Sequence, residues 1–280
     1  MLRSAPLRVL DDSDFAEVLA LLDSDPVVNV LIAARVQAAG LDPWRLGAEV
    51  WGYGEAGRLS ALCHAGANLA PTRCPEAAIR AFAEKARRQG RRCSSIVGPA
   101  ETVQPLWEAL RRSWGPARDV RQYQPLMTIC GPSPTPLDPL VRRVQPDELD
   151  LLVPACVAMF TEEVGVSPIG GDGGALYRSR IAELIAAGRS FARIERGRVI
   201  FKAEIGSATQ RACQIQGVWV DPGRRGEALS VAGMAAVVAL AQESAAPVVS
   251  LYVNDYNVPA RRAYERVGFR EIGAFSSVLF

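Results

Sequence analysis

Val218-Trp-Val-Asp-Pro-Gly-Arg-Arg-Gly-Glu-Ala-Leu-Ser230 decides how the second half of this chain is read. The apolar run from about Ala212 to Val220 predicts a strand, Pro222 and Gly223 end it, and a long helix is predicted from Gly226 to Glu243. A turn of this kind, between strand and helix, leaves the first N–H groups of the helix without partners inside it. Together with the helix dipole they form a pocket for a pyrophosphate. Gly226 lets the backbone approach a phosphate closely. Ala228 keeps the next turn small, and Arg224 and Arg225 add positive charge. Alone, the stretch reads equally well as an ordinary turn into a buried helix.

A strand at Val248–Val253 leads into Asn254-Asp-Tyr-Asn-Val-Pro-Ala260-Arg-Arg-Ala-Tyr264-Glu-Arg-Val-Gly268-Phe269. Asn257 is placed to cap the helix that begins near Pro259, or to bond a neighbouring strand. Proline suits the first helical turn, and Gly268 stands just past the end. Ala260 and Tyr264, four residues apart, share one face. Taken alone, Tyr264 reads as a buried tyrosine with a satisfied hydroxyl.

The two motifs together, in this order and separation, resemble the GCN5-related N-acetyltransferase family. There a (Gln/Arg)-x-x-Gly-x-(Gly/Ala) turn binds the CoA pyrophosphate, and an Asn-x-x-Ala-x-x-x-Tyr-x-x-x-Gly-Phe helix follows one strand later. Gly226 and Ala228 match the turn; Asn257, Ala260, Tyr264, Gly268 and Phe269 match the helix. Gly223 departs from the pattern, standing where the family has Gln or Arg. The resemblance covers about residues 140–280. The whole chain is also similar to tandem members of the family, in which a degenerate first copy precedes an active second one, and to actinobacterial members with a family-specific N-terminal domain.

The resemblance implies an enzyme that moves an acetyl group from acetyl-CoA, its co-substrate, to a primary amine by direct attack in a ternary complex. It implies contacts to CoA from Val218, Trp219 and Val220, from Arg224, Arg225, Gly226, Glu227, Ala228, Leu229 and Ser230, and from Asn257, Ala260 and Tyr264. A backbone N–H near Val218 would hold the thioester oxygen, and Tyr264 would protonate the departing thiolate. The amine must lose its proton, since a lysine-like amine has a pKa near ~10.4. Glu204 is the first candidate base, Glu162 and Glu163 the next, and the Phe280 carboxylate the last; each also reads as an ordinary solvated or helix-end charge. The acceptor, a small molecule or a protein, is not named by the sequence. The competing readings are a catalytically weak CoA-binding or regulatory module, and an aminoacyl transferase on a similar duplicated fold.

The first half ends in a similar order of elements. Strands at Ala48–Tyr53 and Leu59–Ala65 precede a helix at Pro75–Gln89, a strand at Ser94–Val97, a helix at Glu101–Trp114 and a strand at Gln122–Ile129. Between the halves lies Gly131-Pro-Ser-Pro-Thr-Pro-Leu-Asp-Pro139, whose four prolines exclude a helix or central strand. The expected organisation is a degenerate domain at 1–130, a linker at 131–139 and a catalytic domain at 140–280. The fold class is α/β (α+β), with two tandem domains, each a mixed, mostly antiparallel sheet flanked by helices. The linker leads to a predicted strand at Leu140–Val144 and a helix from an Asp147 cap to about Glu163, which Pro154 should end or kink. Aligning Gly115 with Gly268 puts Arg111 at the Tyr264 position and Gln104 at the Asn257 position, so the first copy lacks the chemistry.

Charge argues against a dedicated nucleic-acid binder. Residues 1–135 hold 16 Lys/Arg against 14 Asp/Glu, and residues 136–280 hold 16 against 16. The basic run Lys85–Arg92 reads as a helix C-terminus. Six cysteines without a CxxC pair and one histidine, His64, offer little for a metal site, and His64 reads as structural. Met1-Leu-Arg-Ser-Ala-Pro6 has no charged-then-apolar signal pattern. The longest apolar stretch, Ala228–Ala241, falls short of the ~20 residues a bilayer span needs. These features predict a soluble, reduced, cytoplasmic protein without a membrane partner.

Overall fold

The computed structural model describes residues 7–55 and 57–280, so the N-terminal hexapeptide read above lies outside the described residues. The chain runs β1 (Leu7–Val9), α1 (Phe15–Asp23), α2 (Val30–Ala39), α3 (Pro43–Leu46), β2 (Glu49–Glu55), β3 (Arg58–Ala65), β4 (Asn68–Pro71), α4 (Glu76–Gln89), β5 (Ser95–Pro99), α5 (Ala100–Trp114) and β6 (Asp119–Cys130). It continues through β7 (Arg142–Arg143), α6 (Leu149–Val164), α7 (Ala175–Ala186), β8 (Ser190–Glu195), β9 (Arg198–Ala208), β10 (Ala212–Val220), α8 (Leu229–Ser244), β11 (Val248–Tyr252), α9 (Val258–Val267) and β12 (Arg270–Leu279).

Two compact units result. The first holds the chain up to Met127 together with Tyr252–Tyr256 and Glu271–Phe280; the second holds Thr128–Leu251 and Asn257–Arg270. In the first, β1 to β4 pair antiparallel in succession and β4 pairs parallel with β5. In the second, β7 to β10 pair antiparallel in succession and β10 pairs parallel with β11. The same order of strands and helices, built twice, is the expected fold class: two tandem units, each a mostly antiparallel mixed sheet flanked by helices.

Strand pairing rather than chain order sets the unit boundaries. β12 pairs antiparallel with β5 from Phe275–Pro99 to Leu279–Ser95, so the last residues go with the first unit rather than with the rest of 140–280. Buried polar bonds reinforce this: Ser277 Oγ donates to Gln124 Oε1 (2.6 Å), and Gln124 Nε2 donates to Asn254 Oδ1 (2.8 Å). Each left unpaired would cost about 1–3 kcal/mol.

The first unit carries apolar layers on both sheet faces. Trp51, Phe82, Ile96, Leu106 and Val278 pack on one, and Leu22, Ile32, Leu62, Val97 and Phe275 on the other. α4 forms because Ala78, Ile79, Phe82, Ala83 and Ala86 recur every three or four residues on one stripe. Burying Phe82 alone contributes roughly 1.5–3 kcal/mol. In the second unit, Val144, Leu152, Cys156, Ile181 and Val199 form the matching cluster under α6 and α7.

Several local expectations are corrected. β4, only four residues between Gly66 and Arg73, shows no readable alternation, yet it is the true counterpart of β10; Leu59–Ala65 is the strand before it. Pro154 neither ends nor splits α6, because it removes only one backbone bond near the helix start while Leu152, Ala155 and Cys156 stay buried. Asp147 does not cap that helix: Gln145 and Glu148 form a capping box around a short 3-10 turn at Pro146–Glu148. β7 is shorter than the predicted Leu140–Val144, and α8 starts at Leu229 rather than Gly226.

Candidate active site

In the second unit β10 is joined to β11 only at its start, Ala212–Gln214 against Val248–Ser250. β10 continues to Val220 with its β11-facing edge unpaired, which opens a backbone slot beside Ile215–Val220. On its other side β10 stays paired with β9, with one register shift between Gln214 and Ile215 and another between Gln216, which faces Glu204, and Trp219, which faces Lys202. One extra residue is therefore accommodated at Gly217–Val218, a bulge that leaves ladder groups unpaired. Gly217 has φ +62°, a conformation that favours glycine.

At the end of β10, Asp221 Oδ1 accepts from the Gly223 N–H (2.9 Å), and Asp221 Oδ2 accepts from Arg198 (2.7 Å). The Arg224 N–H bonds back to Asp221 and the Arg225 N–H to Pro222; the next such turn bond is from Val231 to Ala228. Between them the amides of Gly226, Glu227, Ala228, Leu229 and Ser230 have no turn or cap acceptor among the described residues. Gly226 adopts φ +90° with open space where a Cβ would stand. Ala228, the N-cap of α8, sits at φ +57° and has no side chain to cap the helix. The result is a helix start whose donors face no protein acceptor, ready for an anion.

Both arginines already hold carboxylates. Arg224 pairs with Glu227 (2.8 Å) and Glu195 (3.1 Å). Arg225 pairs with Glu162 Oε2 (2.6 Å) and also donates to the Val220 carbonyl (3.2 Å). Glu162 Oε1 accepts from the Trp219 indole N–H (3.2 Å), so this residue of α6 bridges β10 and the turn.

α9 starts where Asn257 Oδ1 accepts from the Ala260 N–H (3.3 Å), the capping role read from sequence. Tyr264 is buried, and its ring meets Phe269 edge-on at 6.0 Å. Burial first, and then the charge of Glu163, push its phenol well above the usual tyrosine range. It therefore stays protonated at any physiological pH.

Glu204 proves to be part of a sealed ion pair. Lys202 Nζ lies 3.1 Å from Glu204 Oε2, and Gln216 Nε2 donates to Glu204 Oε1 (2.9 Å). Burial opposes the Lys202 charge, but the Glu204 carboxylate and then the Cys156 thiol more than offset it, and the ammonium titrates above the ordinary lysine range. Accepting a proton would cost Glu204 this buried partner. Sequence reasoning missed Lys202, although Lys-Ala-Glu within an otherwise apolar strand already put two opposite charges on one face. It also missed the bulge. The Phe280 candidate is corrected: its ring packs on Trp107 and Trp114 in the first unit's core, 5.6 and 5.8 Å away. Arg111 and Gln104 lie on the exposed surface of α5, paired with Glu108 and the Gln122 carbonyl. Among the described residues, no group of three or more His, Cys, Asp or Glu is arranged to hold a metal.

Residues 175–269 match the acetyltransferase (GNAT) family, a stretch that includes the turn at Gly226–Ser230 and Tyr264. That match covers about a third of the chain, and a segment before it, residues 48–152, matches a domain of unknown function (DUF4081). No curated protein sequence matches it. Among solved structures it is similar to a GCN5-related N-acetyltransferase from Sphaerobacter thermophilus (16% identity, 98% of this chain and 94% of that one, TM-score 0.58). It is also similar to a GNAT-family acetyltransferase from Colwellia psychrerythraea (14%, 98% and 99%, 0.56). A tandem GNAT protein from the clavulanic acid biosynthesis pathway matches over 97% of both chains (15%, 0.53). At these identities the likeness is one of fold, and it spans both units.

Proposed function

We propose that the second unit transfers an acetyl group from acetyl-CoA to a primary amine by direct attack in a ternary complex. One observation carries this reading: β10 parts from β11 after Gln214, next to five consecutive unbonded amides at Gly226–Ser230. A pantetheine arm pairs with the freed strand edge, while the diphosphate takes the amides. The bulge at Gly217–Val218 offers its N–H to the thioester oxygen as negative charge develops there. Tyr264 then delivers a proton to the CoA thiolate, a leaving group with a pKa near ~8.5.

Among the candidate bases, Glu204 is held by Lys202 and serves as a positioning residue. Glu162 is more exposed, and its guanidinium partner Arg225 stands in the diphosphate turn. A bound diphosphate that draws Arg225 away frees Glu162 to accept the amine proton, directly or through water. The protein is assigned to the cytoplasm, in keeping with six free thiols and with no helix among the described residues long and apolar enough to cross a membrane.

The test is an initial-rate study with acetyl-CoA and a panel of small amines and peptides. Intersecting double-reciprocal lines and release of one CoA per acetylated amine are expected. Parallel lines, the mark of an acyl-enzyme, or no transfer with any amine, would overturn the mechanism.

A further inference from the structure

The even charge counts of the two halves hide how the charges are placed. In the first unit, Asp11–Asp25 carries carboxylates and no cation, while the cations gather where α4 and α5 end. Three chain segments meet there. The Arg118 amide donates to the Leu279 carbonyl (2.8 Å), and the Phe280 amide donates to the Ser94 carbonyl (3.0 Å). The Arg91 guanidinium lies 4.7 Å from the centre of the Phe280 ring, which packs on Trp114, the last residue of α5.

Cations at a helix C-terminus suit its dipole, yet this end holds more of them than its carboxylates match. Glu84, Glu108 and Asp119 are already held by Arg88, Arg111 and Arg121. Arg87, Arg91, Arg92, Arg112 and Arg118 are exposed, with no ion pair or side-chain hydrogen bond among the described residues. Against these five stands the α-carboxylate that Phe280 carries in this chain.

An unpacked aromatic ring stands beside the same end. Pro43, Arg92 and Trp114 line one recess, and Trp44, next to Pro43, is 95% exposed. Asp42 accepts from the Trp44 and Arg45 amides (2.9 and 3.1 Å), which fixes the short helix α3 that presents the ring. Arginine forks match phosphate oxygens in pairs, which a lysine ammonium does not. A flat ring clear of the surface is a platform for an unpaired base. A flexible strand can follow a recessed surface that the plane of a bilayer cannot enter, and an acidic peptide brings no base to stack.

We infer that this end of the first unit binds single-stranded nucleic acid, with phosphates on Arg91, Arg92 and Arg118 and a base on Trp44. The surface shares no residue with the acyl-transfer site and stands or fails apart from it.

The probe is a fluorescein-labelled oligouridylate of about 20 nucleotides, titrated with the full chain by anisotropy from about 50 mM salt upward. Micromolar binding is expected, with a slope of log affinity against log salt near about −3, as for about four phosphates on a single strand. Arg91→Gln/Arg92→Gln/Arg118→Gln, all at exposed positions, should flatten the slope by about 2. Trp44→Ala should weaken binding at least about fivefold and leave the slope unchanged. The duplex with oligoadenylate should bind more weakly than the single strand, and saturating CoA should not compete. No binding at low salt, an unaltered slope in the triple variant, wild-type affinity in Trp44→Ala, or displacement by CoA would each overturn the assignment. So would equal or tighter binding of the duplex, of polyglutamate or of phosphatidylserine vesicles.

Discussion

Lys202 and Glu204 form an ion pair with 3.1 Å between Nζ and Oε2, the lysine side chain 1% exposed, and the β10 bulge rests on it. A Cβ added at Gly217 would stand 3.0 Å from Lys202 Nζ and 3.1 Å from Glu204 Cδ. Removing one partner strands a buried charge, so Lys202→Met or Glu204→Gln alone should lower unfolding free energy by about 3–5 kcal/mol. The double variant Lys202→Met/Glu204→Gln should lose much less than the sum. Urea denaturation of the four proteins measures the coupling, and additive losses would show that the pair is not a unit.

Gly217→Ala should lower kcat more than it weakens CoA binding. The substitution strains φ +62° and pushes on the ion pair; in the proposed mechanism this moves the Val218 N–H away from the thioester oxygen. Loss of one such donor costs about 10²–10³ in kcat. Steady-state kinetics beside a direct CoA titration separates the two effects; equal losses in both would place the bulge in cofactor binding instead.

Tyr264→Phe should reduce turnover by about 10²–10⁴ while the dissociation constant for CoA stays within a factor of about two. Because burial and Glu163 hold the phenol above the usual tyrosine range, the wild-type pH profile should show no alkaline limb from Tyr264 in the range where the protein stays folded. Turnover in the phenylalanine variant equal to wild type would remove Tyr264 from the reaction.

The first unit carries a separate pH signature at the chain's one histidine. His64 is buried in β3, with Nδ1 3.3 Å from the Asn68 carbonyl and Nε2 3.5 Å from Arg35. Burial, and then the charge of Arg35, lower its pKa to about 4 from the ordinary 6.5. A depressed folded value means that this group's contribution is complete above pH 6.5 and is lost as pH falls towards 4, because only the unfolded chain takes up the proton. The loss amounts to about 3 kcal/mol. Denaturation midpoints of wild type and His64→Gln between those limits should converge as pH falls; a constant difference would contradict the assignment.

Most of the turn and helix geometry of the second unit was legible because it is written in local pattern. Gly226, Ala228, Asn257, Tyr264 and Gly268 lie within two short segments, and each needs only its own turn or helix face to find its place. What escaped depends on partners distant in sequence. β4 is too short to show a period and exists because β3 and β5 flank it. The place of β12 is decided by its pairing with β5, which the proline-rich break between the halves could not reveal. Glu204 looked like a base because its neighbour across one residue, Lys202, was not read as its partner, and Gln216 reaches it only once β10 lies beside β9.

The central claim is that the amides of Gly226–Ser230 grip a diphosphate. Titration of the full chain with CoA in a calorimeter, at low salt, tests it most directly. Saturable one-to-one binding in the micromolar range is predicted, weakened at least about tenfold in Gly226→Val, whose side chain cannot adopt φ +90° without strain. No saturation at millimolar CoA, or equal affinity in wild type and Gly226→Val, would contradict the account.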